Sequence, residues 1–535
     1  MSGTVGEAVH ELLLQHGVRH VFGNPGSTEL PFLIGLGTDI KYVLGLQESV
    51  VTAMADGYAQ ASGRPAVVNL HTAPGLGNAA GALFTAQKNK APLVVTAGQQ
   101  DTRHLAWEPL LSGPLVEMAS PYVKWATQPT SASDVPDAFA RAFQVAGTPP
   151  TGPVFISIPM NFWDAEAPAI PARRVTAPGA APPRALDRLA RALEAAQNPA
   201  MVAGAGIDRS GAWDNAVALA EHLGLPVYEE PLAPRRGFPS GHPLFRGVLK
   251  PAVPMVSQDL AGYDLILVVG APVFTYYPYY PGPQVPPGAD IYLITDDPGD
   301  AARAPVKEAF VGDLADALSY LVTHVAPRPP TTFSARASEV ARRRSEAARG
   351  RDRMTPAYIF NTLAAKLPAD SIIVDESVTA SPTLRDYLPV RRPASYFTAA
   401  SGSLGWAMPA AVGIKLAQPD RPVVAVVGDG SAMYGIQALW TAAQWHTPVL
   451  FIVLNNGQYA ILKSYAQAFY PGTLSHVPGL DLPGIDLCGL AGAMGVTAER
   501  VSSPAALGPA FERGFAAGGP YLVEVMSDRA VPALF

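Results

Sequence analysis

Cysteine is all but missing: Cys488 stands alone in 535 residues, which excludes an intramolecular disulfide and fits a reducing compartment. Charge is sparse as well, 15% of residues with a formal net charge of −6. That leaves no sign of the basic patch or stripe that marks nucleic-acid binding. No stretch reaches the roughly 18 consecutive apolar residues of a membrane span. Met1 to His20 lacks a basic segment followed by a continuous apolar core, so no secretory signal is expected. The expected setting is the cytoplasm, with neither nucleic acid nor membrane as partner. What is abundant is apolar material, 48% of the chain, enough for buried sheets. Low charge on so long a chain also suggests surface buried between subunits. The length exceeds one ordinary core and predicts about three domains, at roughly 150–200 residues each.

Two segments read as connectors. Glu166 to Arg184 is dense in Pro, Ala and Gly, which suits an extended linker. Ala326 to Pro356 opens on APRPPTTFS and turns basic (ARRRSEAARGRDR), as a solvated connector and helix face would. The cuts give domains at 1–165, 183–325 and 355–535. Each alternates short apolar runs with helical patterns, the signature of βαβ units and parallel sheets. PAVVNLHTA, APLVVTAG, PAMVAGAGI, DLILVVGAPV, DIYLITD, SIIVDES, PVVAVVGDG and PVLFIVLNNG read as strands, and SVVTAMADGYAQASG as a helix. The predicted fold class is α/β, three doubly wound parallel-sheet domains. In such sheets ligands bind at the carboxyl ends of strands, and there the last domain places polar and glycine residues.

The sharpest pattern is Gly428-Asp429-Gly430-Ser431 after the apolar run Val423 to Val427, followed by Asn455-Asn456-Gly457 at the end of the next strand. A strand, a glycine turn and a helix start bring backbone N–H groups to where an anion can sit. Asp429 adds a carboxylate and Asn456 an amide oxygen. One carboxylate, one amide oxygen, a backbone carbonyl and two phosphate oxygens are a usual way for Mg²⁺ to join a diphosphate to a protein. Either turn alone is ordinary; the two together at successive strand ends are not.

GDG followed at this spacing by NN resembles the cofactor motif of thiamine-diphosphate enzymes. Nearly the whole chain is similar to the benzoylformate decarboxylase branch of that family, through VFGNPGSTELPFL, LGLQESVVTAMADGYAQASGRPA, NLHTAPGLGNAAGAL, VTAGQQ, RGVLKPA, VVGAPVF, AASGSLGWAMPAAVG and ALWTAAQ. The resemblance implies pyrimidine-binding, middle and diphosphate-binding domains in that order. It implies a homotetramer built as a dimer of dimers, with each thiamine diphosphate bound across a dimer interface. Asp429, Asn456 and the carbonyl of Gln458 would hold Mg²⁺, with Gly430 and Ser431 on the diphosphate and Thr379 also at the cofactor. Glu48, in LGLQESV, would be the carboxylate beside the aminopyrimidine that helps the cofactor ionise. Gly402 would accept a hydrogen bond from the 4′-amino group through its carbonyl, and Leu404 would wedge between the two rings.

By the same resemblance Ser27 would contact the carboxylate of a 2-oxo acid substrate. His71 would position substrate and relay protons, a task suited to imidazole near neutral pH. The match frays in the middle domain, where Tyr277 stands at the family's second histidine. A phenol, with a reference pKa near 10 against about 6.5 for imidazole, is poorly matched to proton shuttling at pH 7. Thr398 replaces a bulky aromatic, Val378 a threonine and Ile461 an alanine, while Leu110, Leu111, Leu462 and Tyr465 would keep the pocket apolar. The implied activity is non-oxidative decarboxylation of an aromatic 2-oxo acid to an aldehyde and CO₂. The alternative is a carboligase, aldehyde lyase or 2-hydroxyacyl-thioester lyase with the same cofactor. A flavin-bearing relative finds only a weak hint in Ala203-Gly204-Ala205-Gly206, since isolated glycine turns are mostly structural.

Overall fold

The computed structural model describes residues 2–534 apart from 174, 176–178, 180, 330–345 and 347–353. Most of the basic connector expected between Ala326 and Pro356 lies outside the described residues. The chain forms two compact units: Met1–Thr176 with Ile373–Val378 and Ala399–Ala530, and Ala177–Ile372 with Thr379–Thr398 and Val531–Phe535.

The first unit carries two parallel sheets. Strands of the N-terminal sheet lie in the order Lys41–Leu44, His20–Gly23, Ala66–Leu70, Leu93–Gln99, Val154–Pro159, Ala126–Thr127, and all neighbours pair in parallel. The central three of these (Ala66–Leu70, Leu93–Gln99 and Val154–Pro159) are buried at every position, as expected of strands covered on both faces. In the C-terminal sheet, the strands inside this unit run Ile372–Glu376, Val423–Gly428, Val449–Asn455, Tyr521–Met526, Thr497–Val501. The segment Glu166–Pro168, at the start of the stretch read as an extended connector, pairs antiparallel with Ser2–Thr4. Its extended backbone supplies a strand edge as readily as a linker.

The two sheets of this unit are joined by small residues. The Glu48–Ser62 helix starts at Gln47, whose side-chain oxygen accepts from the N–H of Ser49 and Val50, and stops at Gly63 with φ +65°. It is buried almost all round, and Gly57 lets its backbone touch the helix Ala407–Ala417. A Cβ on Gly57 would fall 2.4 Å from the carbonyl oxygen of Ala410, and one on Gly413 would fall 1.9 Å from that of Met54. Any larger residue there would force the helices apart.

The second unit holds a six-stranded parallel sheet in the order Phe245–Val248, Val227–Glu229, Pro199–Ala203, Leu265–Val269, Asp290–Thr295, Glu308–Val311. All three sheets alternate with helices, so the fold is α/β. Among the described residues no helix is long and apolar enough to cross a membrane.

Candidate active site

The register of the C-terminal sheet sets Gly428 opposite Leu454, so the turns carrying Asp429 and Asn456 emerge side by side. Asp429 is buried and accepts only from backbone: the N–H of Gly430 over 3.0 Å and of Gly457 over 2.8 Å. Burial raises its pKa, and those two N–H groups partly offset the rise. Asn456 is half-buried, and its amide oxygen accepts from the N–H of Gln458 over 3.1 Å, which fixes the amide plane. Gln458 is buried, its amide nitrogen on the carbonyl of Arg529 and its oxygen on Lys463. Asn455 belongs to the core instead, donating to Glu524 over 2.7 Å. A Cβ on Gly430 would lie 2.5 Å from the ring of Tyr459, so glycine is required there by close approach. Ser431 is buried beside it. Among the described residues no three His, Cys, Asp or Glu side chains converge as metal ligands. A cation at Asp429 would therefore complete its shell with amide, backbone and diphosphate oxygens, and the residues present fit that donor set.

Three of the motif stretches converge on Glu48. It begins its helix and is 8% exposed. Asn24, from GNPGS, donates to Oε1 over 3.1 Å, and Asn78, from PGLGN, donates to Oε2 over 3.1 Å. Two neutral amides orient the carboxylate, and among the described residues no Lys or Arg pairs with it. A Cβ on Gly75 would lie 3.3 Å from Glu48 Oε1 and 3.4 Å from the Cβ of His71, so both residues border the same glycine.

His71 is held by Glu29, which the sequence reading passed over. Nδ1 of His71 donates to Glu29 over 2.8 Å, a tautomer assigned from the network, and this leaves Nε2 as the free ring nitrogen. Glu29 is 1% exposed and also accepts from the N–H of Gly26, the N–H of Gly98 and the hydroxyl of Thr28. Gly26 and Gly98 have no room for a side chain: a Cβ on either would collide with His71 or Glu29 respectively. Thr72, next to His71, has φ +45° and a buried hydroxyl without a hydrogen-bond partner. Positive φ at a β-branched residue is strained, and such strain gathers at functional sites. Val378 shows it too, at φ +37°. Ser27 is exposed, at the start of the short helix that carries Glu29.

Gly402 (φ +71°, exposed) and half-buried Leu404 lie on the loop before the helix Ala407–Ala417. Ile461 and Tyr465 are half-buried, with Tyr465 stacked on Phe469 at 4.6 Å. Leu111 is half-buried at φ +70°, while Leu110 and Leu462 project into solvent. Thr379, Thr398 and Tyr277 belong to the second unit. There Tyr277 is 62% exposed, and its N–H donates to the carbonyl of Pro251. The glycine turn at 204–206 is filled by its own unit: Ala205 N–H donates to Glu230 over 2.9 Å and Gly206 N–H to the carbonyl of Gly270 over 2.8 Å. Those residues do not fit a dinucleotide phosphate.

Models of the thiamine pyrophosphate enzymes match three stretches: the N-terminal TPP-binding domain over residues 3–128, the central domain over 186–321 and the C-terminal TPP-binding domain over 378–525. The chain belongs to the thiamine pyrophosphate enzyme family, and those domains support thiamine diphosphate as its cofactor. Within it, the chain is 44% identical to benzoylformate decarboxylase of Pseudomonas aeruginosa, over 99% of this chain and 100% of that one. Among solved structures it is similar to the thiamine diphosphate-dependent 4-hydroxybenzoylformate decarboxylase of Rhodococcus jostii (TM-score 0.92, 42% identity, 99% and 100% coverage). It is also similar to benzoylformate decarboxylase of Polynucleobacter necessarius (TM-score 0.92, 36% identity, 99% and 100% coverage).

Proposed function

We propose that this chain is a thiamine-diphosphate- and Mg²⁺-dependent lyase that decarboxylates an aromatic 2-oxo acid to an aldehyde and CO₂. The observation that carries the reading is the shared border of Glu48 and His71 at Gly75, with the buried carboxylate and the Cβ of the proposed relay histidine against the same glycine. Bound thiamine diphosphate supplies the nucleophile and the electron sink for loss of CO₂.

The chain's own residues bind, orient and move protons. Asp429, Asn456 and the carbonyl of Gln458 would hold Mg²⁺, with Gly430 and Ser431 at the diphosphate. Glu48 would accept a hydrogen bond from the aminopyrimidine, strengthened by its buried surroundings. Thr379, Gly402 and Leu404 would complete the cofactor contacts. Ser27 would bind the substrate carboxylate. His71, its Nδ1–H spent on Glu29, would take up and return protons through Nε2. Thr398, Leu110, Leu462, Tyr465 and Tyr277 would border the substrate side chain. Domains at 1–165, 183–325 and 355–535, a homotetramer built from dimers and a cytoplasmic setting complete the proposal.

The test is a panel of aromatic and aliphatic 2-oxo acids, with and without the cofactor and Mg²⁺, read as CO₂ and aldehyde. Cofactor-dependent aldehyde from aromatic acids is expected; no turnover of any member would overturn the reading. Tyr277 favours a second strand of activity. With a phenol in place of an imidazole, the final protonation would slow, and an acceptor aldehyde could capture the reacting carbon to give a 2-hydroxy ketone. Replacing Tyr277 by His should raise the ratio of aldehyde to hydroxy ketone, and an unchanged ratio would remove this strand.

A further inference from the structure

Two buried carboxylates outside the proposed machinery hold the loop that carries Gly402 and Leu404. Glu376, at the end of the strand Ile372–Glu376, accepts from three successive backbone N–H groups: Gly405 over 2.6 Å, Trp406 over 2.8 Å and Ala407 over 2.7 Å. Asp56, in the middle of the Glu48–Ser62 helix, accepts from the indole N–H of Trp406 over 2.9 Å. It also accepts from Gln60 and Asn89, each over 2.7 Å. The other root of the loop is fastened by the N–H of Ala400 on Asn89 over 2.8 Å and by Ser401 on Thr85 over 2.9 Å.

We propose that Glu376 and Asp56 are positioning residues, two carboxylates that lock Trp406 and so set where Gly402 and Leu404 stand against the cofactor. The inference rests on the reading above, in which those two residues touch it. The geometry runs from a locked root to an open tip. A Cβ on Gly405 would lie 2.6 Å from the side chain of Tyr434, whereas one on Gly402 would meet nothing within 4 Å.

The chemistry of the anchors is specific. Every partner of these two carboxylates is a donor, six N–H groups in all, so an amide in either place would turn its own NH₂ against a donor. Burial pushes Glu376 up to about 7 and Asp56 up to about 6, and among the described residues no Lys or Arg pairs with either. An apolar side chain in either place would leave these buried N–H groups without an acceptor. What the carboxylates add is a fixed backbone path at three consecutive residues.

The test measures thiamine diphosphate binding to cofactor-free protein at fixed Mg²⁺ by calorimetry, with Tm taken on the same samples. Glu376→Gln should weaken binding about tenfold or more, and Trp406→Phe, which loses the bond to Asp56 but keeps the three backbone anchors, about threefold or more. Leu189→Val, a core change in the other unit, should lower Tm and leave the Kd unchanged. An unchanged Kd in the folded variants overturns the positioning role even if their Tm falls. Should Glu376→Gln fail to fold, Trp406→Phe decides alone, since it keeps the three backbone anchors on Glu376. Absence of binding by the unaltered chain would instead overturn the reading of the site itself.

Discussion

Two turns of this molecule share one local plan and have opposite fates. After Val423–Gly428 the chain makes a glycine turn into the short helix Asp429–Ala432; after Pro199–Ala203 it makes another into Ala205–Arg209. At the second turn Glu230 and the carbonyl of Gly270 already take the leading N–H groups. A Cβ on Gly204 or Gly206 would also strike the backbone at Gly270. At the first turn a buried carboxylate meets only backbone N–H groups, and a half-buried amide from the next strand stands beside it. A glycine turn at a strand end is therefore a site only where its polar groups have not been spent on the fold.

Substitutions can break or sharpen this contrast. The largest effect is expected at Glu48, where Gln should lower kcat about a thousandfold, within the range of acid–base contributions, while Tm holds. Full activity in that variant would remove the activation role. Next, Asp429→Asn should weaken cofactor binding in the presence of Mg²⁺ about a hundredfold, measured by calorimetry. Glu230→Leu, which removes the acceptor of the Ala205 N–H at the filled turn, should cost on the order of 1–3 kcal/mol of stability through an unpaired buried donor and leave cofactor affinity untouched. A loss of affinity there would erase the distinction between the turns.

A more gradual effect is a pH dependence of the cofactor-free protein. Glu376 sits at about 7 against an ordinary value of 4.5, so the folded chain holds this proton more tightly than the unfolded one. Folding takes up a proton between those values, and the stability contribution is full below pH 4.5 and lost as pH rises to about 7, on the order of 3 kcal/mol. Tm should fall across that window, and the fall should flatten in Glu376→Gln.

Much of the candidate site is legible where its logic is local. The strand, turn and amide pair at Asp429 and Asn456 lie within one βαβ unit, and the α/β class follows from runs such as Val423 to Val427. Glu48 needed the family resemblance, because a glutamate opening a helix also reads as a partner for the helix dipole. Glu29, Glu376 and Asp56 escaped notice because their donors are far along the chain: Glu29 meets Gly98, and Asp56 meets Trp406. A charged residue inside a stretch as apolar as VVTAMADGYA is the one signal that could have pointed to Asp56. The strain at Thr72 has no sequence signature at all, since β-branched residues ordinarily avoid positive φ.

The most direct measurement is a crystal structure of the chain grown with thiamine diphosphate and Mg²⁺. It should show the ion on Asp429, Asn456 and the carbonyl of Gln458, with Glu48 within hydrogen-bond reach of the aminopyrimidine. A bound cofactor lying away from these side chains would contradict the account.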